Sequence, residues 1–168
     1  MRMTWQMGFS ACLVLPGLWF TSVMAGQQVS NVSEMVSVQA NCQVVGGIVT
    51  MSFGSYDPAW ANIVRDLDSS SSFSVRCTPG TTARITMDDG AHPSGESKRM
   101  VNGIGEALVY QIYTSPSRTT PWNATNAVTY AANTLLPQTF TVYGRIPAGQ
   151  GNVDAGSYSD TVTITVTF

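Results

Sequence analysis

Charged residues are scarce in this sequence: Asp, Glu, Lys and Arg make up only 11% of its 168 positions, against roughly 25% in ordinary globular proteins. The 8 basic and 10 acidic side chains leave a net charge of −2, and no basic cluster stands out along the chain. A protein that binds nucleic acid generally carries a basic face for the phosphate backbone, so we predict no nucleic-acid partner. Ser, Thr, Asn and Gln must therefore supply most of the polar surface.

Histidine and the usual catalytic arrangements are also nearly absent. The single histidine, His92, lies in the polar stretch 88–98, whereas a catalytic triad needs a histidine held between a nucleophile and a carboxylate. Cysteines and histidines are too few for a zinc site, residues 88–90 lack the spaced acidic ligands of a calcium loop, and no glycine-rich phosphate loop opens a helix. We therefore predict a protein that is not an enzyme and that holds no metal and no cofactor.

Residues 1–25 have the features of a secretory signal peptide. A short start with one Arg and no acid precedes the apolar run 7–20, and Val23 and Ala25 satisfy the small-residue rule for signal peptidase. The run is too short to span a bilayer comfortably, and Pro16 interrupts it. We expect residues 1–25 to be cleaved and residues 26–168 to be exported.

The chain has 3 cysteines, of which Cys12 lies in the predicted signal. In an oxidising compartment the remaining pair is most simply a disulfide. Cys42 and Cys77 both fall on the apolar side of strand patterns, so the bridge would join two strands of the core. On the chain-entropy model, closing a loop of this length contributes roughly 4 kcal/mol.

Apolar and polar residues alternate in almost every informative segment, which is the pattern of half-buried strands. The segments that show it are 36–44, 49–53, 73–77, 83–87, 107–113, 140–146 and 161–168. Short strands separated by turns at fairly regular intervals predict an all-β sandwich. Residues 60–67 differ, because their apolar residues have helical spacing. Asp57 would be the N-cap of this helix and Pro58 its first helical residue. We predict a short helix there.

The segment "DTVTITVTF", residues 160–168, raises a specific question. From Thr161 onward it has no charge and no proline, although natural sheets usually blunt an edge strand with one or the other. Two interpretations stay open: the strand is paired on both sides within its own sheet, or one side is left for another chain by β-strand addition. Residues 26–39 offer such a strand, since the apolar parity of Cys42 continues back to Val32 and the extended segment reaches roughly 45 Å.

An ordered set of motifs runs through nearly the whole exported chain. Besides Cys42 and Cys77, the set comprises "FGSYDP" at 53–58, "SVRC" at 74–77, "KRMVNG" at 98–103, "LVYQIYTSP" at 108–116, Trp122, and "VYGRIPAGQGNVDAGSYSDTVTITVTF" at 142–168. In this order and spacing, the chain resembles the spore coat protein U family, whose best-known members are subunits of archaic chaperone–usher pili. The run Gly156-x-Tyr158-x-Asp160 is the most specific piece of the resemblance.

The resemblance implies an incomplete immunoglobulin-like β-sandwich that lacks its last strand and is completed by a donor strand from another chain. Residues 26–40 would be the donor segment running into the first strand, and residues 41–168 the pilin-like domain. Glu34 shares the parity of the donor residues, so it would lie at the mouth of the groove or mark a different register. The donor residues would be Val32, Val36 and Val38, and the groove-forming C-terminal strand would contribute Val162, Ile164, Val166 and Phe168.

For function, the resemblance implies a structural subunit of a secreted surface fibre that polymerises by donor-strand exchange, with a role in adhesion or biofilm formation. Its partners would be a periplasmic chaperone, an outer-membrane usher and neighbouring pilus subunits, identical or paralogous. It would pass through the periplasm and end on the cell surface. The alternative is a self-contained secreted β-sandwich: a binding module that uses loops near Trp60, Trp122 and Tyr130, or a spore or cell coat protein.

Overall fold

The computed structural model describes residues 33–95 and 97–168. The chain divides into two units, Met1–Val36 and Ser37–Phe168, and only the end of the first unit lies within the described residues. No helix in the described part of the chain is long and apolar enough to cross a membrane. The strands, all in the second unit, are β1 (Cys42–Val45), β2 (Leu67–Cys77), β3 (Thr82–Met87), β4 (Lys98–Val101), β5 (Ala107–Tyr113), β6 (Val128–Ala131), β7 (Gln138–Ile146) and β8 (Ile164–Thr167).

The strands form two antiparallel sheets, as the alternating patterns predict. The larger sheet has the order β1-β2-β7-β5-β4 and the smaller one the order β6-β3-β8. The longest pairing joins β2 to β7, from Leu67 opposite Ile146 to Val75 opposite Gln138. The all-β prediction is confirmed. Because successive side chains point to opposite faces, the buried positions of β3 and β5 are the apolar ones.

The core lies between the sheets and centres on aromatic residues. Phe73 of β2 stacks on Phe140 of β7 with ring centroids 5.7 Å apart, and Phe73 also meets the buried Trp122 at 5.9 Å. The Trp122 indole N–H donates to the Ile85 carbonyl at 3.0 Å, so its polar atom is satisfied inside the core. Burying a large apolar side chain of this kind contributes roughly 1.5–3 kcal/mol, which makes this cluster a main source of cohesion.

The predicted helix at residues 60–67 is wrong, because this segment forms turns and then enters β2. Asp57 does cap the turn, since its Oδ1 accepts from the N–H groups of Ala59 and Trp60 at 3.0 and 3.1 Å. The buried Asn62 then closes the loop on itself: its N–H donates to the Asp57 carbonyl, and its Oδ1 accepts from the Asp57 N–H at 2.8 Å. A side chain that competes for backbone groups in this way stops a helix from continuing.

Several strand boundaries also differ from the alternating patterns. β1 begins at Cys42 rather than at residue 36, and β8 covers Ile164–Thr167 rather than 161–168. β4 was not predicted, because its first residue, Lys98, is a charged side chain in a fully buried position, where its Nζ lies 3.2 Å from Asp89 Oδ1. β6 was missed because it is only 4 residues long. Period-two reasoning therefore finds long strands with apolar inward faces and misses short or charged ones.

The family-like run Gly156-x-Tyr158-x-Asp160 ties the two sheets together. The Asp160 carboxylate is 1% exposed; it accepts from the Tyr110 hydroxyl of β5 at 2.7 Å and from the Ala91 N–H, just beyond β3, at 3.0 Å. Gly90 has φ +83°, and a Cβ there would overlap the same carboxylate. Burial, together with the hydrogen bond to Asp160, raises the pKa of the Tyr110 hydroxyl far above its usual value, so this donor stays protonated.

The disulfide between Cys42 and Cys77 is confirmed. The two residues lie directly opposite each other at the ends of β1 and β2, with their Cα atoms 4.1 Å apart and 35 residues apart in sequence. We expect the double variant Cys42→Ser/Cys77→Ser to lose roughly 4 kcal/mol of stability, because the bridge restricts the unfolded chain. Urea unfolding with and without reductant measures this, and reductant should leave the double variant unchanged. Equal midpoints for the oxidised protein and the variant would contradict the expectation.

The hydrogen bond between Tyr110 and Asp160 should contribute more to the free energy of unfolding than an ordinary surface hydrogen bond does. We expect Asp160→Asn and Tyr110→Phe each to lower the free energy of unfolding by roughly 1.5–3 kcal/mol, the range for buried bonds to a charged group. Because both variants remove the same contact, the double variant should cost clearly less than the sum, with a coupling of about 1 kcal/mol or more. Urea unfolding of the four proteins measures the cycle, and simple additivity would show that the two groups act independently.

Candidate functional site

The outer edge of β8 is the main unsatisfied feature of the fold. β8 pairs with β3, from Met87 opposite Ile164 to Arg84 opposite Thr167, and within residues 33–95 and 97–168 no strand pairs with its other side. Along the segment, Val162, Ile164 and Val166 are half-buried against the core, whereas the intervening threonines are exposed. The edge therefore presents free backbone groups beside an apolar row, which is a template for an added strand.

The start of β8 is held by Asp88, at the end of β3. The Asp88 N–H donates to the Thr163 carbonyl at 3.1 Å, and its Oδ1 accepts from the N–H groups of Thr163 at 2.9 Å and Gly90 at 3.0 Å. Partial burial acts to raise the pKa of this carboxyl, but the hydrogen bonds from Thr163 and Gly90 outweigh it and hold the pKa below its usual value. The ionised side chain thus replaces a backbone partner at Thr163, which explains why the regular ladder begins one residue later.

Residues 49–53 flank the open side of the core but do not form the predicted strand. Their side chains alternate between half-buried and exposed, yet in the described chain the segment joins no ladder. The carbonyls of Ser52 and Thr50 instead accept from the hydroxyls of Ser69 and Ser71 of β2, at 2.5 and 2.9 Å. The strand prediction is wrong here because side-chain donors replace the backbone donors of a neighbouring strand, so this backbone too is left without a strand partner.

Small residues on the inner face of the larger sheet make room for this segment. Gly144 of β7 lies directly under Met51 and Phe53, and a Cβ at that position would overlap both side chains. Gly144 pairs with Ser69, another small inward-facing residue. Residues 49–53 therefore pack on the inner face of the larger sheet, against β2 and β7.

A cavity of about 640 Å³ lies beside this segment. One wall is formed by residues 51–56 with Pro58, and the other by residues 153–158. Its floor is apolar, since Met100, Leu108 and Ile146 of the larger sheet reach it. β8 follows residues 153–158 in the chain, and its start lies beyond this wall of the cavity. We use the name cleft for the cavity together with the open edge of β8: residues 49–58 on one side, residues 153–158 and β8 on the other.

The predicted site residues fall into two groups. Val162, Ile164 and Val166 pack against the core from one face of the C-terminal segment, and Phe168 is half-exposed at its end; their role as groove residues stays a prediction. Of the predicted donor residues, Val36 and Val38 are 92% and 81% exposed, and Val32 lies outside the described residues. Sequence analysis missed Met51, Phe53 and Tyr158 as cleft residues. The small inward-facing Ser69 and Gly144 were the available signal for the first two.

The aromatic residues of the alternative binding module do not form one surface. Trp122 is buried in the core, and Tyr130 packs edge-on against Phe140 with ring centroids 5.5 Å apart. Trp60 alone is strongly exposed. His92 lies 3.4 Å from Asp160, in the loop that this carboxylate anchors. In the described part of the chain, no three His, Cys, Asp or Glu side chains are grouped to hold a metal ion.

Comparison with known proteins gives one family and several relatives. A model of the Spore Coat Protein U domain matches residues 27–165. The chain is 34% identical to Protein U of Myxococcus xanthus over 161 residues, which cover 89% of each chain.

Among solved structures, the chain is similar to one in a chaperone–tip adhesion subunit pre-assembly complex of the archaic chaperone-usher Csu pili of Acinetobacter baumannii, with TM-score 0.53 and 21% identity. That match covers 78% of this chain and 40% of the other, so this chain spans less than half of its length. A chaperone–tip adhesin complex of CFA/I fimbriae matches with TM-score 0.38 and 14% identity over 74% of this chain and 42% of the other. The first similarity supports a shared pilus-subunit fold; the second is too weak to add to it.

The packing at Gly144 gives a test of how the cleft wall is built. We expect Gly144→Ala to lower the free energy of unfolding by about 1–3 kcal/mol, because the added methyl overpacks the contact with Met51 and Phe53. Gly151→Ala is the matched control, since a Cβ at Gly151 meets nothing within 4 Å. Urea unfolding measures both variants. Equal stability of the two would mean that residues 49–53 do not rest on the sheet at Gly144.

Proposed function

Because the chain belongs to the spore coat protein U domain family, we propose that it is a structural subunit of a secreted surface fibre of the archaic chaperone–usher type. The observation that carries the proposal is the outer edge of β8, which lies beside an apolar row and has no strand partner in the described structure. The family description and the Csu relative's description concern coat and pilus proteins, which supports a structural rather than an enzymatic role.

In the proposed assembly, a donor strand from another chain fills the cleft. Its backbone pairs with the outer edge of β8, and its alternate side chains enter between the sheets beside Ile164, Met51 and Phe53. This is β-strand addition, in which backbone hydrogen bonds give affinity and side-chain pockets give specificity. Each fully buried donor valine would contribute roughly 1.5–3 kcal/mol, so a few of them suffice for a tight connection. The sandwich would thereby become complete.

The donor is residues 26–40 of a neighbouring subunit, identical or paralogous. Val36 and Val38 suit this role because they are strongly exposed in their own chain, and Val32 continues the same parity. Glu34 also shares that parity, and burying its carboxylate without a partner would be costly. The proposal places Glu34 at the mouth of the cleft, where the carboxylate stays in water.

Before assembly, the open cleft needs a temporary partner, since an uncovered apolar edge promotes aggregation. A periplasmic chaperone would fill it first, and the next subunit would displace the chaperone at an outer-membrane usher. The similar Csu chain is described as part of a chaperone–subunit complex, which supports such a partner. The Cys42–Cys77 disulfide suits an exported protein, with residues 1–25 as its cleaved signal. The finished fibre would serve adhesion or biofilm formation on the cell surface.

A charge placed in the cleft should block polymerisation. We expect Ile164→Asp to abolish the ladder of fibre fragments on unboiled SDS gels, because a donor strand would bury the new carboxylate. Thr165→Asp is the matched control, since Thr165 is the next residue of β8 and points away from the cleft to solvent. The control should keep a ladder of normal length. Equal ladders from the two variants would mean that this face of β8 does not receive a strand.

The alternative, a self-contained β-sandwich, predicts the opposite behaviour for the isolated chain. If residues 26–168 alone form a stable monomer that unfolds in one step, and if deleting residues 26–37 changes neither stability nor assembly, the chain is a complete coat or binding module. The fibre proposal expects the deletion to remove polymerisation while the chain still binds its chaperone.

A further inference from the structure

We propose that successive subunits also contact each other through their ends: the loop with Trp60 and Val64 of one subunit packs on Leu135 and Leu136 of the next. This inference rests on the proposed function, because it adds a second contact to the same fibre. The Trp60 end is the loop 57–66 with residues 147–149, and the Leu135 end is residues 78–81 and 132–137 with the Cys42–Cys77 bridge.

The two loops lie at opposite ends of the sandwich. The Trp60 loop sits where β2 starts and β7 finishes: the Tyr56 hydroxyl donates to the Pro147 carbonyl at 3.1 Å, and the Gly149 N–H donates to the Asn62 carbonyl at 2.9 Å. Leu135 and Leu136 lie in the connection that leads into the other end of β7. There, Val75 pairs with Gln138 and Cys42 pairs with Cys77.

Both ends expose large apolar side chains. Trp60 and Val64 are each 82% exposed, Leu135 is 65% exposed and Leu136 is 74% exposed. Tryptophan is well buried in most proteins, and where it is exposed it is a typical anchor of protein interfaces. Residues 78–81 and 132–137 contain no charged side chain, and depletion of charge marks the centre of an interface. The Trp60 end does carry charge, at Asp57, Arg65 and Asp66, so the proposed contact joins its exposed Trp60 and Val64 to the uncharged Leu135 end.

The direction of β8 decides which ends meet, given a donor that pairs with it antiparallel, as all strand pairs of the described chain do. β8 runs towards the Leu135 end, since Ile164 lies opposite Met87 and Thr167 opposite Arg84, near the start of β3. A donor strand antiparallel to β8 runs the other way and leaves the cleft at the Trp60 end. Its own domain starts with β1 at its Leu135 end. A head-to-tail contact of this kind repeats without closing and builds a fibre, whereas a parallel donor would press two Leu135 ends together.

The link between donor and domain is too short to keep these ends apart. From Val38 to Cys42 the chain has four residue steps, which span at most about 14 Å when fully extended. Part of that length is already fixed: the Gln39 carbonyl accepts from the Thr78 hydroxyl at 3.3 Å, and the Asn41 carbonyl accepts from the Thr78 N–H at 2.9 Å. With Val38 in a neighbour's cleft, the two ends therefore lie within side-chain reach.

Cysteine cross-linking tests the contact in the full-length chain, exported and assembled by the cells that naturally produce it. The test pair is Trp60→Cys with Leu136→Cys, and the matched control pair is Ser70→Cys with Leu136→Cys, since Ser70 is exposed in the middle of β2. After mild oxidation, samples are boiled in SDS without reductant. We expect a covalent ladder from the test pair that collapses to monomer with reductant, and at least a tenfold weaker ladder from the control pair.

The outcomes separate this inference from the function it rests on. If unboiled samples of the test pair show fibre fragments but boiled samples give only monomer, the ends do not touch and the inference fails, while the fibre stands. If the unmodified chain gives no unboiled ladder, the proposed function fails and the inference with it.

If the test pair does not assemble, the double variant Trp60→Ser/Leu136→Ser tests the end contact instead. Electron micrographs should then show fibres whose persistence length is at least twofold shorter than that of fibres of the unmodified chain. An unchanged persistence length would overturn the end contact.

Discussion

The outer edge of β8 is the constraint on which the rest of this structure depends. Its backbone groups have no strand partner in the described chain, and its half-buried residues Val162, Ile164 and Val166 border an open cleft. An apolar, uncharged edge of this kind is normally avoided because it pairs with other chains. Residues 49–53 are also kept out of any ladder, although side chains of β2 donate to the Thr50 and Ser52 carbonyls. The open edge of β8 is therefore the backbone that an inserted strand would satisfy.

The elements around the cleft are fixed even though the cleft is open. The Cys42–Cys77 bridge joins β1 to β2, Gly144 seats residues 49–53 on the larger sheet, and Asp88 aligns the start of β8. Asp160 then connects β5 of one sheet to the loop beyond β3 of the other. A rigid acceptor loses little conformational entropy on binding, which favours affinity. The most specific motif in the sequence is therefore explained by scaffold geometry rather than by chemistry.

The sequence alone predicts the parts of the fold in which an apolar inward face runs along a long strand, as in β5 and β7. It also predicts the disulfide, because two cysteines of the same parity in an exported chain leave one pairing. The prediction fails where a side chain replaces a backbone partner: Asn62 ends the expected helix, and Ser69 and Ser71 donate to carbonyls of residues 49–53. β4 is missed for a different reason, because its first residue is the buried, charged Lys98. Of the cleft, only the β8 side follows from alternation. The opposite wall depends on contacts between residues far apart in the chain, which periodicity does not encode.

The short link between donor and domain joins the two proposals physically. A long flexible link would let each subunit swing freely, and the fibre would be a chain of beads whose stiffness is set by linker entropy. Residues 39–41 are instead tied to Thr78 at the uncharged Leu135 end, so a donor strand in a neighbour's cleft would bring that end against the exposed Trp60. Strand insertion would then supply the strength of the connection, and the end contact would set its angle. The scarcity of charge serves the edge of β8 and the Leu135 end, since either would be weakened by a buried, unpaired charge.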